Sequence, residues 1–159
     1  MCVSKCFKDV YTNYSVCDRR RTVSIKEKGK NYIAKNINLK QIAQYHIDAP
    51  SVVATEEKRC DYAIYIFDEE DSSKNDDRLI FIELKGSDLN TAVKQIRASI
   101  KQKVNVAGVA VYKIDARVIT SKTPSPKYKS TEEVILRNEL NNYGKGKLII
   151  KTKSYTENI

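Results

Sequence analysis

The hydrophobic pattern changes period along the chain and predicts separate strands and helices. Residues 20–27, RRTVSIKE, alternate Val and Ile with polar residues, which indicates a half-buried strand, and residues 28–31, KGKN, follow as a turn. A second alternating piece at residues 42–47 predicts another strand. Residues 60–67, CDYAIYIF, and residues 78–84, RLIFIEL, are short β-rich runs joined by an acidic loop. We therefore expect these two runs to form an antiparallel hairpin.

Two segments show the period of amphipathic helices. Residues 87–103 repeat apolar side chains every third or fourth position, with Ser87 or Asp88 as the N-cap. Residues 130–144 open with a Ser-x-x-Glu capping box and close on a glycine. The remaining apolar runs predict strands at residues 105–114, 116–121 and 145–153.

This order of elements predicts a mixed β-sheet with helices packed on it, in an α/β or α+β protein. The length of 159 residues fits one domain, residues 1–159. Hydrophobic residues make up 41% and charged residues 31%, a composition that is typical of a globular chain rather than a disordered one. No apolar run reaches the length of a membrane span, and the N-terminus lacks the apolar core of a signal peptide. We therefore expect a cytoplasmic protein without a membrane partner.

Two charges of opposite sign close the second strand of the predicted hairpin. Glu83 and Lys85 share one face of an extended strand, and Leu84 points to the other face. Antiparallel pairing brings Asp61, at the start of the first strand, beside Glu83. Adjacent carboxylates repel unless a cation lies between them, and Mg²⁺ prefers a few carboxylate oxygens together with waters. The ammonium group of Lys85 would be close enough to orient a water or to stabilise charge on a phosphate.

An Asp, then Glu-x-Lys at the end of the next strand, and then a helix resembles the PD-(D/E)XK nuclease superfamily, which includes restriction endonucleases and Holliday-junction resolvases. The resemblance covers residues 40–121 in order of elements. It implies a restriction endonuclease-like fold and hydrolysis of phosphodiester bonds with Mg²⁺ or Mn²⁺, with DNA favoured over RNA. It also implies that Asp61 and Glu83 are catalytic metal ligands, together with the backbone carbonyl of Leu84. Lys85 would position the attacking water or stabilise the transition state.

The chain departs from the pattern of that superfamily at several positions. Cys60 stands before Asp61 where the motif has proline, and no glutamate occurs in residues 1–26, where members often carry one on an early helix. Asp48, at the end of a predicted strand, is our substitute metal ligand. Gln95 loosely matches an accessory glutamine that some members carry on the helix after the motif. Weaker substitutes for the missing glutamate are Glu27, Glu56 and Glu57.

The charge distribution favours nucleic acid as a partner. The net charge is +9, and six of the 20 acidic residues lie in the loop at residues 68–77. The rest of the chain has 28 basic and 14 acidic residues, a balance that favours a polyanion. The predicted helix and the residues after it supply the basic side chains that we expect to contact phosphates: Lys94, Arg97, Lys101 and Lys103.

The sequence gives weaker support to other kinds of active site. His46 is the only histidine, so a site with several histidine ligands is excluded. The four cysteines contain no C-x₂-C pair, which disfavours a zinc site, and reduced thiols are expected in the cytoplasm. Two alternatives to a nuclease stay open: a nuclease-like domain that no longer cleaves but binds nucleic acid or a protein, and a small basic interaction module. Many members of the superfamily act as dimers, so a homodimer is one expected assembly.

Overall fold

The computed structural model describes residues 6–47, 59–68, 76–86, 88–123 and 129–159. For Lys85, within the third of these ranges, it describes the backbone but not the side chain. Three α-helices occur in these residues: α1 (Phe7–Val10), α2 (Leu89–Ile100) and α3 (Thr131–Asn141). A π-helical segment, Lys101–Val106, continues α2. None of the helices within the described ranges has the length and apolar character needed to cross a membrane.

Nine strands in the described part of the chain form two sheets. The strands are β1 (Val16–Asp18), β2 (Thr22–Glu27), β3 (Lys30–Lys35), β4 (Gln41–His46), β5 (Tyr62–Phe67), β6 (Arg78–Lys85), β7 (Lys113–Thr120), β8 (Leu148–Thr152) and β9 (Ser154–Asn158). The central sheet has the order β1-β4-β5-β6-β7-β8, antiparallel as far as β6 and parallel from β6 to β8. The second sheet has the order β2-β3-β9, with β2 antiparallel and β9 parallel to β3. The predicted mixed sheet with helices is therefore confirmed, and the second sheet is an addition to it.

The central sheet has a hydrophobic core on each face, because its strands alternate between two buried sides. On one side, Tyr65 and Phe81 pack with Ile96 of α2 and Leu136 of α3. On the other side, Ile64, Ile82 and Ile119 pack against Val23 and Tyr32 of the second sheet. The sheet is thus covered by helices on one face and by a smaller sheet on the other, and the sequence analysis predicted only the first of these layers.

Most local predictions agree with the structure. The runs at residues 60–67 and 78–84 pair antiparallel as β5 and β6, with Tyr62 opposite Ile82. Asp88 is the N-cap of α2 and accepts a hydrogen bond from the backbone N–H of Thr91 at 3.0 Å, whereas Ser87 lies outside the described residues. Ser130 caps α3 by accepting from the N–H of Glu133 at 3.1 Å. The turn predicted at residues 28–31 is also present, with positive φ at Lys28 and Gly29.

The strand predicted at residues 105–114 is wrong over most of its length. Asn105 and Val106 end the π-helical segment, and Gly108 turns the chain with a φ of +65° before β7 begins at Lys113. Val104 and Val109 are buried in the helix-side core, and Val109 forms an isolated bridge rather than part of a strand. The apolar run is therefore explained by burial, which periodicity alone does not assign to a strand or to a helix.

A buried ionic network joins the two sheets. Arg117 of β7, which is 2% exposed, donates through Nε and Nη2 to the two carboxylate oxygens of Glu157 of β9, at 2.8 and 3.0 Å. The hydroxyl of Tyr32 donates to Glu157 as well, at 2.7 Å. Nearby, Asp115 accepts from Nε of Arg78 at 2.6 Å. These buried charges are compensated on both sides of the interface, as charges in a protein interior must be.

Candidate functional site

The hairpin places Asp61 and Glu83 beside each other at one end of the central sheet. Tyr62 and Ile82 are the last paired residues of β5 and β6, so Asp61 and Glu83 continue that register by one position. The backbone N–H of Asp61 donates to Oε2 of Glu83 at 2.9 Å. The adjacency that the sequence predicts for the two residues is therefore present.

A second hydrogen bond, from Leu84, runs between the two strands in the opposite direction. Its backbone N–H donates to Oδ2 of Asp61 at 2.9 Å, so each carboxylate holds an N–H of the opposite strand. In an extended strand the N–H and the carbonyl of one residue point to the same side. The Leu84 carbonyl therefore lies on the β5 side of β6, beyond the last residue pair of the hairpin, and the Leu84 side chain is buried between the two sheets.

Glu83 is almost completely buried, with 1% of its surface exposed, whereas Asp61 is half-buried. Glu83 follows Leu79 and Phe81 at strand spacing, and both of these pack in the helix-side core. Lys85 is the last residue of β6, and its Cα pairs with that of Thr120 in β7. The backbone of the three predicted catalytic residues thus lies at one end of the sheet, while the position of the Lys85 ammonium group stays a prediction.

Helix α2 supports this end of the sheet from the helix side. Ser99 accepts a hydrogen bond from the backbone N–H of Cys60 at 2.9 Å. Nε2 of Gln95 donates to the backbone carbonyl of Arg59 at 3.1 Å, and within the described residues its buried Oε1 has no hydrogen-bond partner. Gln95 therefore lies against the segment that leads into Asp61, while its accessory role stays a prediction. The sequence analysis missed Ser99, whose signal was a polar residue next to the apolar face of α2.

Cys60 is fully buried beside the two carboxylates. Burial raises the pKa of the Cys60 thiol, and the negative charges of Glu83 and Asp61 raise it further against the lowering effect of Ser99. A thiol with a raised pKa and no exposed surface is a packing group rather than a nucleophile.

Two aromatic rings lie next to Asp61 at the edge of the site. The rings of His46 and Tyr62 are stacked, with centroids 4.5 Å apart and an interplanar angle of 13°. Burial raises the pKa of the Tyr62 hydroxyl, and the carboxylates of Glu27 and Asp61 raise it further. The sequence analysis considered His46 only as the single histidine of the chain and did not pair it with Tyr62, because no local pattern connects residues 16 positions apart.

The additional metal ligand is not assigned by the structure. Asp48, Glu56 and Glu57 lie outside the described residues, and Glu27 is half-buried at the end of β2. Among the residues that the structure does describe, no three His, Cys, Asp or Glu side chains form a group able to hold a metal ion. Of the predicted metal ligands, the described residues therefore include two carboxylates and one backbone carbonyl, which are oxygen groups of the kind that Mg²⁺ takes.

The four predicted phosphate-binding residues have different environments. Lys94 and Lys101 are exposed on α2 and on the segment that continues it. Nη2 of Arg97 pairs with Glu139 of α3 at 2.8 Å, and Nη1 pairs with Glu132. The Lys103 ammonium group lies 4.9 Å from the ring centroid of Tyr11. Lys94 and Lys101 are thus exposed candidates for phosphate contact, and Arg97 bridges two helices.

Comparisons with protein-family models, with curated proteins and with solved structures found no match for this chain. The resemblance to the PD-(D/E)XK nucleases therefore stays a prediction that depends on Asp61, Glu83 and Lys85.

Proposed function

We propose that this protein hydrolyses phosphodiester bonds of nucleic acid, with DNA as the favoured substrate, in a reaction that depends on Mg²⁺ or Mn²⁺. The observation that carries the proposal is the pair of carboxylates, Asp61 and Glu83, that the hairpin brings together at one end of the sheet. A catalytic role would explain why Glu83, which is 1% exposed, lies in a strand whose preceding residues are apolar.

Each residue of this site has a distinct role in the proposed reaction. The carboxylates of Asp61 and Glu83 and the carbonyl of Leu84 would hold the divalent cation, which supplies Lewis-acid stabilisation of the phosphate when it is bound. The ammonium group of Lys85 would hold the attacking water or stabilise the negative charge that develops on the phosphate in the transition state. Asp48 would complete the ligand set.

The exposed lysines supply the proposed binding surface for the phosphate backbone. Lys94 and Lys101 are seven residues apart, close to two helical turns, and both are exposed. Each phosphate that a lysine neutralises releases counterions, so binding should weaken steeply with salt. Lys94→Met and Lys101→Met should each lower the slope of log affinity against log salt by about one.

The direct test is cleavage of single-stranded, duplex and branched DNA and of RNA by the purified protein, with Mg²⁺ or Mn²⁺ and with chelator. Lys85→Ala should abolish cleavage and largely spare binding, because the lysine acts on charge that develops in the transition state. Lys26→Ala, which replaces an exposed lysine in β2, is the matched control and should cleave normally. Cleavage that persists in chelator, or that survives Lys85→Ala, would contradict the proposal.

Asp48→Ala tests the additional ligand. If Asp48 replaces the missing glutamate, its loss should reduce the rate about as much as the loss of Asp61. Full activity in this variant would leave a site built from Asp61, Glu83 and Lys85. The proposed homodimer is tested separately, by light scattering on the protein with and without nucleic acid.

One observation favours a second function, a nuclease-like module that binds nucleic acid or a protein partner without cleaving. Asp61 and Glu83 each accept a backbone N–H of the opposite strand, so both carboxylates also have a structural task. A protein that binds one of the tested nucleic acids but cuts none of them with either metal would have this second function.

A further inference from the structure

His46 of the stacked His46–Tyr62 pair belongs to neither core, and the pair has no role in the proposed hydrolysis. His46 ends β4, and its Cα is the cross-strand partner of Tyr62 at the start of β5. Because the phenol ring of Tyr62 covers one face of the imidazole, the exposed surface of His46 belongs to the other ring face and the ring edge. The pair is therefore a stacked aromatic surface that is exposed to solvent through His46.

This aromatic surface lies at the same end of the sheet as the paired carboxylates. Tyr62 directly follows Asp61 in the chain, and the N–H of Ile47, the residue after His46, donates to the backbone carbonyl of Asp61 at 2.9 Å. Tyr62 packs against the core between the two sheets, whereas Glu83 lies on the helix side of the strand. A nucleic-acid strand that passes around the end of this hairpin, from one face of the sheet to the other, would contact both the carboxylates and the aromatic pair.

We propose that the open face of His46, backed by Tyr62, stacks an unpaired base of the nucleic acid, so that the preferred substrate is single-stranded or has an unpaired end. The inference rests on the proposed function and specifies the substrate class of the same site. Aromatic side chains bind single-stranded nucleic acid by stacking on base faces, which is tolerant of sequence because every base has such a face. A base inside a continuous duplex has both faces covered by its neighbours and cannot stack on the ring unless it leaves the helix.

The exposed aromatic residue Tyr112 provides a matched control. It directly precedes β7, whose first residue pairs with Arg78 at the start of β6, so Tyr112 lies at the opposite end of the sheet from Glu83. Its side chain is exposed, and its backbone N–H donates to Asp77. Replacing Tyr112 removes an exposed ring of similar type without touching the candidate site.

The experiment compares the binding of two labelled single strands of equal length, an oligothymidine and its abasic sugar-phosphate analogue, in chelator so that neither is cut. The wild-type protein should bind the base-bearing strand at least about five-fold more tightly, since one stacked base accounts for a factor of this size. His46→Ala should remove that preference and leave binding of the abasic strand unchanged. His46→Phe should restore it, and Tyr112→Ala should keep it.

The outcomes separate this inference from the proposed function. Equal binding of the two strands by the wild-type protein, or a preference that survives His46→Ala, would overturn the stacking inference. Cleavage measured in parallel with Mg²⁺ on duplex and single-stranded DNA tests the nuclease proposal by itself. A protein that cuts duplex DNA and shows no preference for the base-bearing strand would keep the proposed function and lose the stacking site.

Discussion

The backbone N–H of Asp61 and the carboxylate of Glu83 are joined by a hydrogen bond of 2.9 Å across the end of the β5–β6 hairpin. Asp61 in turn accepts from the N–H of Leu84, the residue after Glu83, so the two residues hold each other in place. A carboxylate that accepts an N–H gains a defined orientation. The same contacts thus stabilise the hairpin end and orient the proposed metal ligands.

Amide variants separate the charge of these two residues from their hydrogen bonds. In Glu83→Gln the amide oxygen can still accept from Asp61, so folding should be retained while Mg²⁺-dependent cleavage is lost. Glu83→Ala should lose cleavage and also destabilise the protein by about 1–3 kcal/mol, because it removes the acceptor of the Asp61 N–H at the partly buried end of the hairpin. Urea unfolding together with the cleavage assay measures both effects. A Glu83→Gln protein that cleaves normally would show that the charge has no catalytic role.

Arg97 should contribute to the packing of α2 against α3 through its ion pairs. Arg97→Met removes the pairs with Glu132 and Glu139 and should lower the free energy of unfolding by about 1 kcal/mol or less, since the three side chains are partly exposed. Adding salt should reduce the difference between variant and wild type. Lys94→Met, an exposed change on the same helix, is the control and should stay within about 0.5 kcal/mol. Equal effects of the two variants would argue against the ion pairs as the cause.

Glu157 should matter far more than an exposed carboxylate, because it lies between the two sheets. Glu157→Ala removes both charge-assisted hydrogen bonds of the buried Arg117 guanidinium group and leaves it the more distant carboxylate of Asp115, at 3.9 Å, so it should destabilise the protein by about 3–5 kcal/mol. Glu132→Ala, which removes a partly exposed partner of Arg97, is the comparison and should cost about 1 kcal/mol or less. Thermal and urea unfolding of both variants check the prediction, and similar losses would contradict the burial argument.

The Cys60 thiol should make the protein less stable at alkaline pH. Its pKa is raised by burial, so above the unfolded thiol's pKa, about 8.5, the unfolded chain loses a proton that the folded chain keeps. The contribution of this protonated thiol to the free energy of unfolding is fully present below that pH and is lost as the pH rises above it. Cys60→Ala should therefore flatten the fall in unfolding free energy between about pH 8.5 and 9, where the tyrosines of the unfolded chain, with a pKa of about 10, are still mostly protonated.

A labelling experiment gives an independent check on the same thiol. In the native protein at pH 8, iodoacetamide should modify the half-buried Cys17 and leave Cys60 unmodified, as read by peptide mass mapping. Both should react in denaturant. Rapid native labelling of Cys60 would contradict its burial.

The adjacency of Asp61 and Glu83 was predictable from the sequence because it depends on local geometry. Alternation within two short runs and one hairpin is enough to place Asp61 beside Glu83, and the pairing of Tyr62 with Ile82 confirms the register. The strand prediction at residues 105–114 is wrong because the burial of these residues comes from tertiary packing and not from a local strand pairing. Val104 and Val109 are buried in the helix-side core, and an apolar run of that length reports burial without specifying the backbone.

The partners of Arg97, Arg117 and His46 were decided by contacts that no local pattern encodes. Arg97 meets Glu139 across 42 positions of the chain, and Arg117 meets Glu157 across 40. Strand β9 pairs in parallel with β3, more than a hundred residues earlier, which creates a second sheet that periodicity did not predict. Hydrophobic and polar patterning specifies which side of an element is buried, because the free energy gained by burying apolar surface depends on its area and not on which neighbour covers it. The choice of neighbour depends instead on the packing of the whole chain. The carboxylate pair could be predicted because it lies within one hairpin. The ionic network and the aromatic pair join distant segments, so only the tertiary structure decided them.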